Sequence, residues 1–163
     1  MQCSCREDAL SSETLLQYLR QEGIHGRILS FQRPTTTVAE AVQALGIGGN
    51  QILKSVLFVD ETGRPVLALV PGHKRVCISK LETASGARRL RIAREQDVEG
   101  YTGYKAGALP PIGHRSRIPT YADHAVLSQK VVYCGGGDRD KLLEISALDV
   151  IRISSATVAD ISE

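Results

Sequence analysis

Lys54 is the residue whose setting in this sequence most suggests chemistry. It lies in the run 52–59, which is apolar or β-branched at most positions on both alternating faces and therefore predicts a strand buried on both sides. Side chains alternate across a strand, so Lys54 shares a face with Val56 and Phe58. An unpaired buried charge costs several kcal/mol. Two interpretations stay open: the ammonium reaches solvent from near the strand end, or it is held in a binding site.

The segment 100–115 is the second candidate for chemistry. It combines four glycines with the pair Pro110–Pro111, so its backbone has wide conformational choice at some positions and a fixed φ at others. Such a loop can present backbone N–H groups to an anionic ligand. The amides expected to be available are those of Gly107, Ala108, Leu109, Ile112 and Gly113. An irregular connection with two turns explains the same pattern.

No catalytic triad or metal site is apparent. The sequence has four histidines but no Gly-x-Ser-x-Gly motif. His114 follows the glycine–proline segment and either lines a pocket or is a surface histidine. His124, beside Asp123, belongs either to a site or to a turn. Cys3 and Cys5 lack the spacing of a zinc site. We therefore expect neither a metal nor a cofactor.

Charge is unevenly distributed along the chain. Between positions 72 and 117 there are ten basic and four acidic residues, whereas the whole chain carries a net charge of only +2. Clustered cations favour contact with a polyanion, and Arg88, Arg89, Arg91 and Arg94 are candidates to bind phosphate oxygens. A solvated face of long side chains is the alternative.

The predicted elements place these residues in an α+β chain. Residues 60–64 are typical of a turn, so the Lys54 strand and the strand 65–70 form a hairpin. Thr37 and Glu40 form a capping-box pattern that begins a helix ending at Gly46. Further helices are expected from about position 12 to 22, from 79 to 85, where Ser79 and Glu82 form a second capping-box pattern, and from 95 to 99. Further strands are expected at 27–31, 88–93, 130–134, 142–145 and 150–153.

The length and composition of the chain limit its domain number and its location. With 163 residues, of which 42% are hydrophobic, the chain suits one domain over 1–163. No apolar run approaches the roughly 20 residues that span a bilayer, and the first residues are not typical of a signal peptide. A cytoplasmic protein with no membrane partner is expected.

With these pieces in place the chain resembles the YbaK family, which is similar to the editing domain of bacterial prolyl-tRNA synthetases. The resemblance rests on the order and spacing of the helix 37–45, the Gln-Ile-Leu-Lys-Ser-Val-Leu-Phe strand and its return strand, Ser-Lys-Leu with the arginines after it, and Gly-Tyr-Lys-Ala-Gly-Ala-Leu-Pro-Pro-Ile-Gly. It implies a mixed, barrel-like sheet of six to seven strands surrounded by short helices. It also implies hydrolysis of the ester in a mischarged aminoacyl-tRNA.

By this resemblance the family's lysine corresponds to Lys54, its glycine–proline loop to Gly107–Gly113 with Pro111 at the proline position, and its aspartate to Asp123. Ala108 departs from the usual paired glycines. The expected function is that of a freestanding deacylase that acts in trans on the acceptor end of a mischarged tRNA. The expected tRNA is tRNA-Pro or tRNA-Cys, and the expected amino acid is alanine or cysteine. An aminoacyl-tRNA synthetase is a second candidate partner. Catalysis is expected from Lys54 and the amides of Gly107 and Ala108, and substrate binding from Leu109, Pro111, Gly113, His114, Asp123, Arg88, Arg89 and Arg91. A non-catalytic tRNA or protein adaptor, and a hydrolase of small esters, are the alternatives.

Overall fold

Two β-sheets form the centre of the structure, a computed structural model that describes residues 9–163. The strands are β1 (Gly26–Ser30), β2 (Leu53–Val59), β3 (Pro65–Pro71), β4 (Arg91–Ile92), β5 (Thr120–Asp123), β6 (Val131–Gly135), β7 (Lys141–Ser146) and β8 (Thr157–Ala159). The larger sheet has the order β4-β2-β3-β5-β8, and the smaller has the order β1-β7-β6. A parallel bridge between Ile52 and Tyr133 connects them.

The larger sheet is mixed and the smaller is antiparallel. β2 pairs antiparallel with β3, whereas β5 pairs parallel with both β3 and β8. The helices are α1 (Ser12–Gln21), α2 (Val38–Leu45), α3 (Ile78–Ser85), α4 (Glu95–Thr102) and α5 (Ala147–Ser154). The predicted α+β class with a mixed sheet is confirmed. Cys3 and Cys5 lie outside the described residues.

The β2–β3 hairpin is buried on both faces, as its sequence predicts. Leu57 and Leu67 belong to the main hydrophobic core, while Phe58 and Val66 belong to a second cluster on the other face. α2 is fixed at its start by a capping box, in which Thr37 Oγ1 accepts the amide of Glu40 at 3.1 Å. These local signals place Lys54 directly after a helix and a turn, near the beginning of a central strand. Within residues 9–163, no helix is long and apolar enough to cross a membrane.

Three predictions about elements are wrong. Residues 150–153 are helical, because Ala147 and Val150 are both fully buried at a spacing of three. The expected strand 88–93 is reduced to Arg91–Ile92, since Arg89 has a positive φ of 53° that turns the chain. α3 begins at Ile78 with Cys77 as its N-cap, so Ser79 does not cap it. β5 and β8 were not predicted.

The helical assignment of α5 gives a direct test. A strand would place positions 148 and 150 on one face, whereas a helix separates them. Val150 is 0% exposed and Leu148 is 69% exposed. We expect Val150→Asp to lower the free energy of unfolding by about 3 kcal/mol or more, and Leu148→Asp to change it by less than about 0.5 kcal/mol. Urea denaturation followed by circular dichroism measures both, and equal losses would contradict the helix.

Candidate active site

Lys54 and Gly107 border one cavity of about 260 Å³. It lies between the beginning of β2, the smaller sheet and the segment that leads into α2. Its walls are formed by Thr35, Thr36, Thr37, Val38, Ala41, Ile52, Leu53, Lys54, Ser55, Val56, Gly107, Leu109, Cys134, Gly135 and Leu142. The structure thus brings together the two stretches that the sequence singles out for chemistry.

Lys54 is half-buried, and its ammonium donates a hydrogen bond to the carbonyl oxygen of Lys74 at 2.7 Å. Burial lowers the pKa of Lys54 from its ordinary value, and the nearby positive charge of Arg75 lowers it further. An ammonium has three N–H donors, and within residues 9–163 this bond is the one that Lys54 makes. The side chain is therefore held in place while it keeps donors for a ligand.

Gly107 adopts a backbone conformation that favours glycine, with a φ of 85°. A Cβ atom at this position would also lie 3.0 Å from Cβ of Thr36. Ala108, by contrast, is almost completely buried and does not border the cavity. Its amide donates to the carbonyl of Lys105 at 3.1 Å, and its carbonyl accepts from the amide of Gly137 at 3.0 Å. The predicted use of the Ala108 amide as a donor to substrate therefore conflicts with the bond that it already makes.

Gly135, at the end of β6, contacts the backbone of the glycine–proline loop. A Cβ atom at Gly135 would overlap the carbonyl oxygen of Leu109, and it would lie 3.1 Å from the carbonyl carbon of Ala108. The loop therefore packs backbone to backbone on β6. The run Gly135–Gly137 is visible in the sequence, but by itself it predicts only the end of a strand.

Two polar features of the cavity wall were not predicted. Thr36 donates both its hydroxyl (2.9 Å) and its amide (3.2 Å) to one carboxylate oxygen of Glu40, and the hydroxyl bond in particular lowers the pKa of Glu40. Ser55 has a buried hydroxyl oxygen with no hydrogen-bond partner in the described part of the chain. The signal for the first was the run of three threonines directly before the helix. For Ser55 there was no signal.

Pro111, Gly113 and His114 border a different cavity, of about 280 Å³, together with Arg115 and Arg117. The His114 ring is paired through Nε2 with the carbonyl of Pro110 at 2.7 Å, and it meets the ring of Tyr104 edge-on at 6.4 Å. Burial lowers the pKa of His114 below its ordinary value of 6.5, while the bond to Pro110 acts in the opposite direction. The glycine–proline loop thus divides its predicted site residues between two cavities.

Asp123 also lies away from the Lys54 cavity. Its carboxylate is 4% exposed and accepts the amides of Ala125 at 2.9 Å and Ile161 at 3.0 Å. These are contacts with the protein backbone. The structure therefore does not bring Asp123 to the cavity as a ligand for substrate.

The predicted arginines are exposed and do not border the Lys54 cavity. Arg89 lies 3.7 Å from Glu61, and Arg91 lies 3.3 Å from Asp97. Arg88 borders a separate hollow beside the β2–β3 turn. Exposed ion pairs of this kind exchange readily with other partners, since they contribute about 0–1 kcal/mol.

Comparison with known proteins identifies the family. Residues 32–153 match the model of the aminoacyl-tRNA editing domain. The chain belongs to this family. The resemblance inferred from the order of its motifs is therefore confirmed for about three quarters of its length.

Relatives of this editing domain occur alone and inside larger enzymes. A candidate Cys-tRNA(Pro)/Cys-tRNA(Cys) deacylase of Enterococcus faecalis, EbsC, is 29% identical over 125 residues, which are 76% of each chain. A proline–tRNA ligase of Limosilactobacillus fermentum is 34% identical over 106 residues, and the match spans 63% of this chain but only 18% of the ligase. The crystal structure of a candidate trans-editing enzyme for prolyl-tRNA synthetase has a TM-score of 0.85 at 32% identity, covering 93% of this chain and 96% of that chain.

The contact between Gly135 and the Leu109 carbonyl of the editing domain predicts that alanine has opposite effects on stability at two glycines. Gly135→Ala must push the Leu109 carbonyl aside, so we expect a loss of about 2 kcal/mol or more in the free energy of unfolding. Gly100 lies within α4, and a Cβ atom added there would meet nothing within 4 Å. Gly100→Ala is the control and should stabilise by up to about 1 kcal/mol. Thermal and urea denaturation of both variants measure the difference, and a neutral Gly135→Ala would contradict the contact.

The buried His114 predicts a pH dependence of stability. Because the pKa of His114 is lower in the folded editing domain than in the unfolded chain, the unfolded chain binds the proton more readily. Its contribution to stability is therefore present above about pH 6.5 and is lost as the pH falls toward the folded pKa. His114→Gln should remove this part of the pH dependence, measured as the urea midpoint between pH 7 and pH 5. His25→Gln, at an exposed position, is the control and should leave the dependence unchanged.

Proposed function

We propose that the protein hydrolyses the ester bond between a small amino acid and the 3′ end of a tRNA. The observation that carries this proposal is the shared cavity, which Lys54 and the loop residues Gly107 and Leu109 all border, with the Lys54 ammonium held by the Lys74 carbonyl. Family membership supports the choice of an aminoacyl-tRNA as substrate.

Ester hydrolysis builds negative charge on the carbonyl oxygen, and fixed N–H donors stabilise it by about 3 kcal/mol each. The amide of Ala108 is engaged with Lys105, so we assign this role to Gly107 and Leu109. Both residues border the cavity, and neither amide donates a hydrogen bond to another atom within residues 9–163. The donor pair therefore lies on either side of Ala108 rather than including it.

Lys54 provides the positive charge. Its remaining N–H donors orient the substrate by binding the terminal phosphate or the ester oxygen. Cys134 borders the cavity, but burial strongly raises the pKa of the thiol, so it stays in the weakly nucleophilic protonated form. We assign the attack to water, with a ribose hydroxyl of the substrate assisting it, as the resemblance implies.

The size of the cavity limits the amino acid. At about 260 Å³ it is smaller than the roughly 300–1,000 Å³ of sites that enclose drug-sized ligands. Val38, Ala41, Ile52, Leu109 and Leu142 contribute apolar walls. We propose alanine or cysteine as the amino acid and, by analogy with the relative from Enterococcus faecalis, tRNA-Pro or tRNA-Cys as the carrier.

Deacylation of tRNAs charged with alanine, cysteine, serine and proline tests this function. We expect release of alanine or cysteine at a rate well above buffer, and a loss of about a hundredfold or more in kcat/KM for Lys54→Ala. Lys130→Ala removes an exposed lysine away from the cavity and should retain full activity. Circular dichroism must show that both variants are folded.

The two alternatives give different results in the same assay. Binding of tRNA that weakens steeply with salt, without release of any amino acid, would indicate a non-catalytic adaptor. Equal hydrolysis of a short aminoacyl ester and of the charged tRNA would indicate a hydrolase of small esters. Either result would contradict the proposed tRNA deacylase.

A further inference from the structure

The carbonyl that holds Lys54 belongs to a short turn directly after β3. In this turn the amide of Lys74 donates to the carbonyl of Pro71 at 3.0 Å. The carbonyl of Lys74 is then free to accept the Lys54 ammonium at 2.7 Å. The position of the ammonium therefore depends on where the following residue, Arg75, is fixed.

Arg75 is fixed by the segment 161–163, which runs antiparallel to residues 75–77. The amide of Arg75 donates to the carbonyl of Glu163 at 3.2 Å, and the amide of Glu163 donates to the carbonyl of Arg75 at 2.9 Å. The amide of Cys77 donates to the carbonyl of Ile161 at 2.8 Å. Three backbone hydrogen bonds thus connect this segment to the residues that directly follow the turn that holds Lys54.

Asp123 in turn fixes the segment. One carboxylate oxygen accepts the amide of Ile161 at 3.0 Å, and the other accepts the amide of Ala125 at 2.9 Å. Burial alone would raise the pKa of Asp123, but the hydrogen bonds from the amides of Ala125 and Ile161 and the positive charge of Lys74 act against burial, and the pKa is lowered. The carboxylate is therefore charged, and each of its two oxygens accepts one backbone amide. It stands at the end of β5, directly beside β3 in the sheet.

We propose that Asp123 and the segment Ile161–Glu163 are positioning groups for Lys54. Asp123 acts on the acylated RNA end through this segment and the Lys74 carbonyl, and it does not contact the substrate. The kinetic part of this inference rests on the proposed deacylase function. The placement of Lys54 does not depend on that function and can be measured separately.

Two variants interrupt the hydrogen bonds that connect Asp123 to Lys54 at different points. Asp123→Asn preserves size, but an amide group offers one acceptor oxygen where the carboxylate offers two, so either Ala125 or Ile161 loses its partner. Glu163→Pro removes the single N–H that donates to Arg75 and leaves Asp123 intact. Residue 163 is exposed, so this second variant keeps the test valid if Asp123→Asn fails to fold. Asp160→Asn is the matched control, since it removes the exposed ion pair with Lys80 and retains the hydrogen bond from Lys80 to the carbonyl of Ser162 within the segment.

Deacylation kinetics and lysine labelling are measured on all three folded variants. We expect kcat to fall by about tenfold or more for Asp123→Asn, and by less for Glu163→Pro, with KM changed by no more than about twofold. Acetic anhydride should acetylate Lys54 about threefold faster in both variants than in the unaltered protein, when each rate is normalised to Lys130 by peptide mass spectrometry. Asp160→Asn should match the unaltered protein in both measurements.

The outcomes separate the two proposals. If the unaltered protein releases no amino acid, the proposed function fails, and the labelling of Lys54 still decides the positioning role. If both variants fold with unchanged Lys54 labelling, the positioning role is overturned. A loss of kcat without a change in labelling would likewise overturn it, because it would mean that Asp123 acts on the substrate directly.

Discussion

The hydrogen bond from the Lys54 ammonium to the Lys74 carbonyl is the interaction on which the candidate site depends. A lysine in a central strand has a long side chain with many rotamers, and its ordering costs up to about 2 kcal/mol. A backbone acceptor of fixed position removes most of that freedom before any ligand arrives. Because the acceptor carries no full charge, the ammonium keeps its own charge uncompensated. A neighbouring carboxylate would have neutralised it.

The electrostatics around this bond are consistent with an anionic ligand. Among residues 9–163, Arg75 is the charged group that acts on the pKa of Lys54, and its charge has the same sign. Asp123, the carboxylate at the far end of the connection, has both oxygens occupied by amides. A cavity with unneutralised positive charge favours phosphate or a developing oxyanion over a cation. This selectivity follows from the backbone contacts rather than from the overall charge of the chain.

Features set by local sequence were predictable, whereas features set by distant contacts were not. The capping box at Thr37 and the buried strand around Lys54 follow from nearest neighbours and periodicity. The contact of the Leu109 carbonyl with Gly135 and the hydrogen bond from Ile161 to Asp123 both join residues distant in sequence, which are 38 positions apart in the second case. His114 directly follows the loop in sequence but borders another cavity. Sequence proximity therefore overestimated how many residues of the glycine–proline segment share one site.

The support of the loop by Gly135 has an evolutionary consequence. Since the carbonyl of Leu109 packs against the backbone of Gly135, part of the loop is positioned by main-chain contact rather than by side chains. Replacements at the apolar wall can reshape the space for an acyl group without displacing the proposed amide donors. Under the proposed function, the space for the acyl group and the amide donors are in this way separable, so that related domains can differ in the amino acid they accept while the donors stay in place.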